Sequence, residues 1–264
     1  MKILNFLFSR SKQEQDKPIR DKLKTRKDFE RVLAEDLDIM ETTKARMDTA
    51  KNINLYMYRS LSYSYILILQ SKYSVDAKID ELRDIYIKSM HYFLQAFNKR
   101  NPIYADILNY VSLGVLLNIP DNNFRQLIDY VKQMDKQAKP SGWTPDLLLW
   151  FMLNSRMKEQ EKLKYAETLA YPRLYNGLYK VIQAPNAAAA KDALNKYLDR
   201  WYNLNSNAPW YNSHLKDNSY RGYWAWEVAA VAKIMHIDDS DLKNNQYYPY
   251  DMVHWADNET TAKE

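Results

Sequence analysis

The sequence predicts an all-α protein, a helical bundle of about eight to ten helices in two packed halves. Three observations predict it. The 264 residues include only 4 Gly and 9 Pro, so breakers are scarce. Apolar residues recur at helical spacing along most of the chain, and 46% apolar composition is enough to fill real cores. The breakers that do occur, Asn101-Pro102, Pro120-Asp121 and Lys139-Pro140-Ser141-Gly142-Trp143, stand between periodic segments and not inside them.

Residues 1–18 read as a flexible basic leader. MKILNFLF looks briefly like a signal peptide, but Ile3–Phe8 is shorter than an ordinary apolar core and no small-residue cleavage site follows. A cytoplasmic protein is expected; an interfacial anchor built from Ile3–Phe8, Arg10 and Lys12 is the alternative. An N-terminal helical region then spans 19–139. Asp21–Ile53, free of Gly and Pro and rich in Leu, Ala, Glu, Lys and Arg, predicts one long helix, with a break near Leu37–Glu41. The stretch LYMYRSLSYSYILIL is ambiguous, since Leu61, Tyr63 and Tyr65 alternate as in a strand while Tyr58, Leu61, Tyr65 and Ile68 keep helical spacing. With no partner strand nearby it is read as helix. Ala77–Asn98 places Leu82, Tyr86, Phe93 and Phe97 on one stripe near Met90, with Asp80, Arg83, Asp84 and Lys88 off it. An apolar helix at 105–118 and an amphipathic one at 121–136 complete the region.

The C-terminal helical region spans 144–255, followed by a flexible tail at 256–264. Thr144-Pro145-Asp146 reads as cap, first-turn proline and first-turn acid of a helix at 144–157. Further helices are expected at 159–169, 172–183, 187–204 and 222–236. The last is apolar nearly all round, with only Glu227 and Lys233 polar after Gly222, so it should be central, and Glu227 enclosed and in need of a donor such as a tyrosine hydroxyl, a backbone amide or an arginine.

The chemistry is bounded mainly by exclusion. Glycines stand alone at 114, 142, 177 and 222, which rules out GxGxxG, Walker A and GxSxG loops. Zero cysteine removes disulfides, thiolate catalysis and Cys-ligated zinc. His91, His214, His236 and His254 show no i, i+3 or i+4 pairing and no HExxH, so no metal or other cofactor is expected. Asp238-Asp239-Ser240-Asp241 fails as a calcium loop, with Lys243 and Asn244 where ligand and glycine belong. It reads either as capping for a short helix at Asp239–Lys243 or as a partner-facing acidic patch. No apolar run approaches the roughly 20 residues of a membrane span.

The net charge of +5 is unevenly placed. Residues 1–28 hold nine Lys/Arg against four acids, the remaining chain is balanced, and Tyr223–Glu264 carries eight acids against three lysines. A neutral body argues against direct nucleic-acid binding.

The stretch GYWAWEVAAVAKIMHIDDSDLKNNQYYPYDMVHW, Gly222–Trp255, resembles the signature segment of PoNi proteins, the immunity partners of PoNe polymorphic DNase toxins. Its carriers are Gly222-Tyr223-Trp224, Glu227 with the alanine-rich helix after it, Ile237-Asp238-Asp239, and Tyr247-Tyr248-Pro249-Tyr250-Asp251. The resemblance implies an all-α, non-enzymatic cytoplasmic antidote whose partner is a cognate nuclease toxin domain. On that reading Asp238, Asp239, Asp241, Asp251, Tyr247 and Tyr248 are toxin-binding candidates that could mimic phosphate toward the toxin's Lys/Arg. Gly222, Tyr223, Trp224, Glu227 and Pro249 are the structural signature. Two other classes stay open at this point: a helical nucleic-acid-binding or adaptor protein using the basic leader, and a helical enzyme recruiting Glu227, His254 and Asp251.

Overall fold

The computed structural model describes residues 18–97, 103–138, 143–216 and 218–256. All of the leader (1–18) but residue 18, all of the tail (256–264) but residue 256, and the breakers at 101–102 and 139–142 lie outside the described residues. Among the described residues there are ten α-helices and no strand. Packing groups the chain into two compact units, 1–97 with 212–223, and 98–211 with 224–264. These are not the regions 19–139 and 144–255 marked by the breakers, because the helices at Tyr104–Leu116 and Asp121–Gln133 belong by packing to the second unit.

In the first unit α2 (Leu55–Ser74) packs against both α1 (Arg26–Thr49) and α3 (Ile79–Phe97). The ambiguous tyrosine-rich segment is therefore helix, with its buried serines Ser62, Ser64 and Ser71 allowing close approach; Ser89 of α3 donates to the Ser62 carbonyl at 2.8 Å. Of the expected α3 stripe, Leu82, Tyr86, Met90 and Phe93 are buried, while the side chain of Phe97 lies outside what is described. Helix α1 differs from expectation at two points. It begins at Arg26, not Asp21, because Asp21 Oδ1 closes a turn by accepting from the Leu23 and Lys24 amides, and Thr25 then forms a capping box with Asp28. It also runs unbroken through Leu37–Glu41, which holds no Gly or Pro to break it.

Residues 212–223 return to this unit as a strap. Arg221 forks onto Asp36, Nε to Oδ2 at 2.6 Å and Nη2 to Oδ1 at 2.9 Å, in a buried bidentate pair. Tyr220 donates to Asp21 Oδ2, and Ser74 donates to the Arg221 carbonyl. Gly222 ends the strap at φ 106°, a conformation that requires glycine.

The second unit is organised around α9 (Trp226–Met235), which touches α4 (Tyr104–Leu116), α6 (Leu147–Asn154), α7 (Pro172–Ile182), α8 (Ala187–Leu204) and α10 (Tyr250–His254). It is the central helix expected, with Val228, Ala229, Ala230 and Val231 fully enclosed. Helix α5 (Asp121–Gln133) continues as a π-helical turn, Met134–Ala138. Helices α7 and α8 pack closely at Gly177, where an added Cβ would meet the Tyr197 ring at 2.7 Å.

Three expectations in this unit are corrected. Helix α6 starts after Asp146, not Thr144: the Asp146 carboxylate accepts from the Leu149 amide at 2.7 Å and is the true cap. The helix expected at 159–169 is only the 3-10 turn Glu159–Glu161. Its backbone groups are spent elsewhere, since Asn154 pairs with both the amide and carbonyl of Leu163, and Leu147 donates to the Thr168 carbonyl. The helix expected at 222–236 starts only at Trp226, because Gly222 is left-handed and the Ala225 amide is donated to the Tyr247 carbonyl at 2.9 Å.

Candidate functional site

The segment between α9 and α10 carries most of the candidate residues, and it sorts them by direction. Asp238 and Asp241 point outward, with side chains 69% and 47% exposed. Both lean on Lys191 of α8, at 2.8 and 3.2 Å, and Asn195 adds a 3.0 Å bond to Asp241. The Lys191 hydrogen bond holds the Asp238 carboxyl well below the usual range. Burial works against ionising Asp241, but Asn195 and Lys191 together still keep it low. Both are therefore charged, and tied to a helix. Asp238 Oδ1 also accepts from the Ser240 amide, so it supplies the local turn bond.

Asp239 is turned the other way. It is 2% exposed, Oδ2 taking the Tyr248 hydroxyl at 2.6 Å and Oδ1 facing His254 Nε2 at 2.8 Å. It occupies the cap position of the 3-10 turn Ser240–Leu242 without a side-chain cap bond. Asp239, Tyr248 and His254 form a tie joining the turn to α10, and the imidazole is thereby paired with Asp239. Tyr248 and Pro249 are buried, while Asp251 is exposed in the first turn of α10.

Tyr247 is half-buried in an aromatic cluster. Its ring stacks on Tyr202 at 5.3 Å and 4°, and lies 5.5 Å from Trp201. Trp201 stacks on Trp210 at 5.4 Å, and Tyr202 on Tyr211 at 4.5 Å. Trp201 also donates its indole N–H to Glu227 Oε1 at 2.6 Å. Glu227 is part-buried, and loss of water pushes its carboxyl up to about 6 although the Trp201 bond opposes the rise. Of the donors expected, a backbone amide is present, and the Trp201 indole joins it in place of a tyrosine or an arginine.

Of the remaining signature, Trp224 is buried with its ring 6.2 Å from Trp226. Tyr223 belongs to the first unit, where its hydroxyl meets Ser213 Oγ, the His214 amide and His214 Nδ1 within 3.2 Å. Among the described residues no group of His, Asp and Glu is arranged to hold a metal, and no helix is long and apolar enough to cross a membrane. Sequence reasoning missed Lys191, Trp201, Tyr202, Trp210 and Tyr211. The repeated doublets Trp201-Tyr202 and Trp210-Tyr211 were the available signal for the aromatic group.

Comparison with known proteins gives concordant results. Residues 11–129 match the family model of the PoNe immunity protein (PoNi) N-terminal domain, and residues 144–252 match that of the C-terminal domain. Among solved structures, protein PA2201 from Pseudomonas aeruginosa is similar with a TM-score of 0.70 and 19% identity, over 97% of this chain and 95% of that one. That likeness supports the fold. Among curated proteins there is no match. With both domain models placed in order along it, the chain belongs to the PoNi family, the immunity proteins that neutralise PoNe nuclease toxins.

Proposed function

We propose that the chain acts as a stoichiometric inhibitor in the cytoplasm of the producing cell. It binds the DNase domain of its cognate toxin and blocks it without catalytic chemistry of its own. The cytoplasm is where such a nuclease would reach the producer's chromosome. The observation that carries the contact site is the outward pair Asp238 and Asp241, ionised and held in place by Lys191, on a turn whose inner side is fixed by Asp239, Tyr248 and His254. A DNase presents Lys and Arg to phosphate, and carboxylates held in advance lose little freedom on meeting them. Asp251, exposed, and Tyr247, half-buried, are proposed as further contacts, whereas the buried Asp239 and Tyr248 hold the turn by their mutual hydrogen bond. The regions 19–139 and 144–255 are proposed as the family modules, distinct from the packing units.

Co-expression with the cognate toxin tests this reading. Cells carrying both genes should survive at toxin levels that kill cells carrying the toxin alone. Killing that persists despite abundant soluble protein contradicts it.

A further inference from the structure

We propose that two copies of the chain associate through the outer face of the α1–α2 hairpin, in an antiparallel two-fold contact centred on Ile39 and Tyr63. The first observation is where α1 stops being covered. Its buried residues, Phe29, Val32, Leu33 and Asp36, all lie in its first half, and none of residues 37–49 is buried. Among the described residues seven large apolar or aromatic side chains are exposed, and four of them sit on this hairpin: Ile39 at 51%, Ile53 at 45%, Tyr56 at 80% and Tyr63 at 62%. One exposed apolar residue needs no account, but a group of them marks a surface for a partner.

Register brings Ile39 and Tyr63 side by side. The short loop 50–54 joins the two helices, so they run antiparallel, and the Thr43 and Ser60 hydroxyls lie 3.5 Å apart. Ile39 stands about one turn before Thr43 and Tyr63 about one turn after Ser60, which sets both at one level of the hairpin. Helix α3 occupies the other side of α1, where Lys44 and Asp48 are electrostatic neighbours of Tyr92. The open side carries Glu35, Ile39, Thr42 and Arg46, a stripe at helical spacing whose members are all exposed.

That stripe is complementary to itself. Glu35 ends it with an acid and Arg46 with a base, and neither has an ion pair among the described residues. When Ile39 of one copy meets Thr42 of an antiparallel second copy, Glu35 falls opposite Arg46 at both ends, because a two-fold contact repeats every pairing. The axis then passes close to the level of Tyr63, so the rings of both copies lie beside it. A parallel alignment would set Glu35 against Glu35. A nuclease surface built to grip phosphate is basic, and Arg46 would oppose it, so the order of charges favours a second copy as the occupant.

Sedimentation velocity of the purified chain across the micromolar range tests this. The mass should rise with concentration from that of one chain to that of two. Ile39→Asp, at an exposed position, should keep its helix content and stay monomeric throughout. Glu35→Arg and Arg46→Glu should each weaken the dimer by roughly 10-fold or more, because two pairs become like-charged at once. Mixed together, the two reversed proteins should associate with wild-type affinity, since each then meets its opposite at both ends. A wild-type chain that stays monomeric, a dimer that ignores these substitutions, or reversed proteins that fail to associate on mixing overturns the proposal. So does a monomer in which Ile39→Asp abolishes nuclease binding, which gives this face to the nuclease instead.

Discussion

Replacing Asp239 with alanine tests whether the face between α9 and α10 is held from within. The side chain is 2% exposed and serves two groups, the Tyr248 hydroxyl at 2.6 Å and His254 Nε2 at 2.8 Å. Tyr248 is also 2% exposed, so its hydroxyl loses a buried carboxylate acceptor, at about 1–3 kcal/mol. His254 is 37% exposed and can turn to water, so its loss adds little. For a chain of this size each kcal/mol lowers the melting temperature by about 2–4 °C, which predicts a fall of roughly 2–12 °C. Scanning calorimetry reads the shift directly. Stopped-flow association of the still-folded variant with the nuclease should keep the salt dependence of the wild type, because Asp239 faces inward. An unchanged melting temperature together with slower association would refute the reasoning and return Asp239 to the contact surface.

Other perturbations separate surface from core. Converting Asp238 and Asp241 to Asn removes two exposed charges and should slow association with the nuclease most at low salt; equal rates at low and high salt would exclude them from the interface. Gly177→Ala drives a methyl to within 2.7 Å of the Tyr197 ring and should cost about 1–3 kcal/mol in urea unfolding, so a variant as stable as wild type would mean α7 and α8 do not pack there. The Glu227 carboxyl is raised from 4.5 to about 6 by desolvation, so the folded state binds more protons than the unfolded state across that window and stability from this group falls as pH rises through it. The wild type should therefore gain about 1–2 kcal/mol relative to Glu227→Gln between pH 7 and pH 4.5. A flat difference would show that Glu227 is well solvated.

Helices whose ends are marked by local chemistry were legible in the sequence. Ala187–Leu204 and Pro172–Ile182 agree with expectation within a residue at each end, since Asn186 caps the first and Pro172 opens the second. What escaped was set by side chains reaching across the chain. Asp21 spends its carboxylate on the next turn and delays α1; Asn154 takes over the backbone of Leu163 and suppresses the helix expected at 159–169. The same holds for the site. The acidic run was visible, but Asp238 and Asp241 face Lys191, about fifty positions earlier, while Asp239 between them faces inward toward Tyr248 and His254. Residue type marks Glu227 as enclosed, but its partner Trp201 is brought to it only by the packing of α8 on α9.

The most direct test of the account is a titration of DNA cleavage by the cognate nuclease with the purified chain. Cleavage should fall in proportion to added protein, reach zero at a fixed molar ratio, and stay there without further change over time, as a bound inhibitor requires. Undiminished cleavage at molar excess, or slow loss of nuclease activity at trace amounts of the chain, would contradict it.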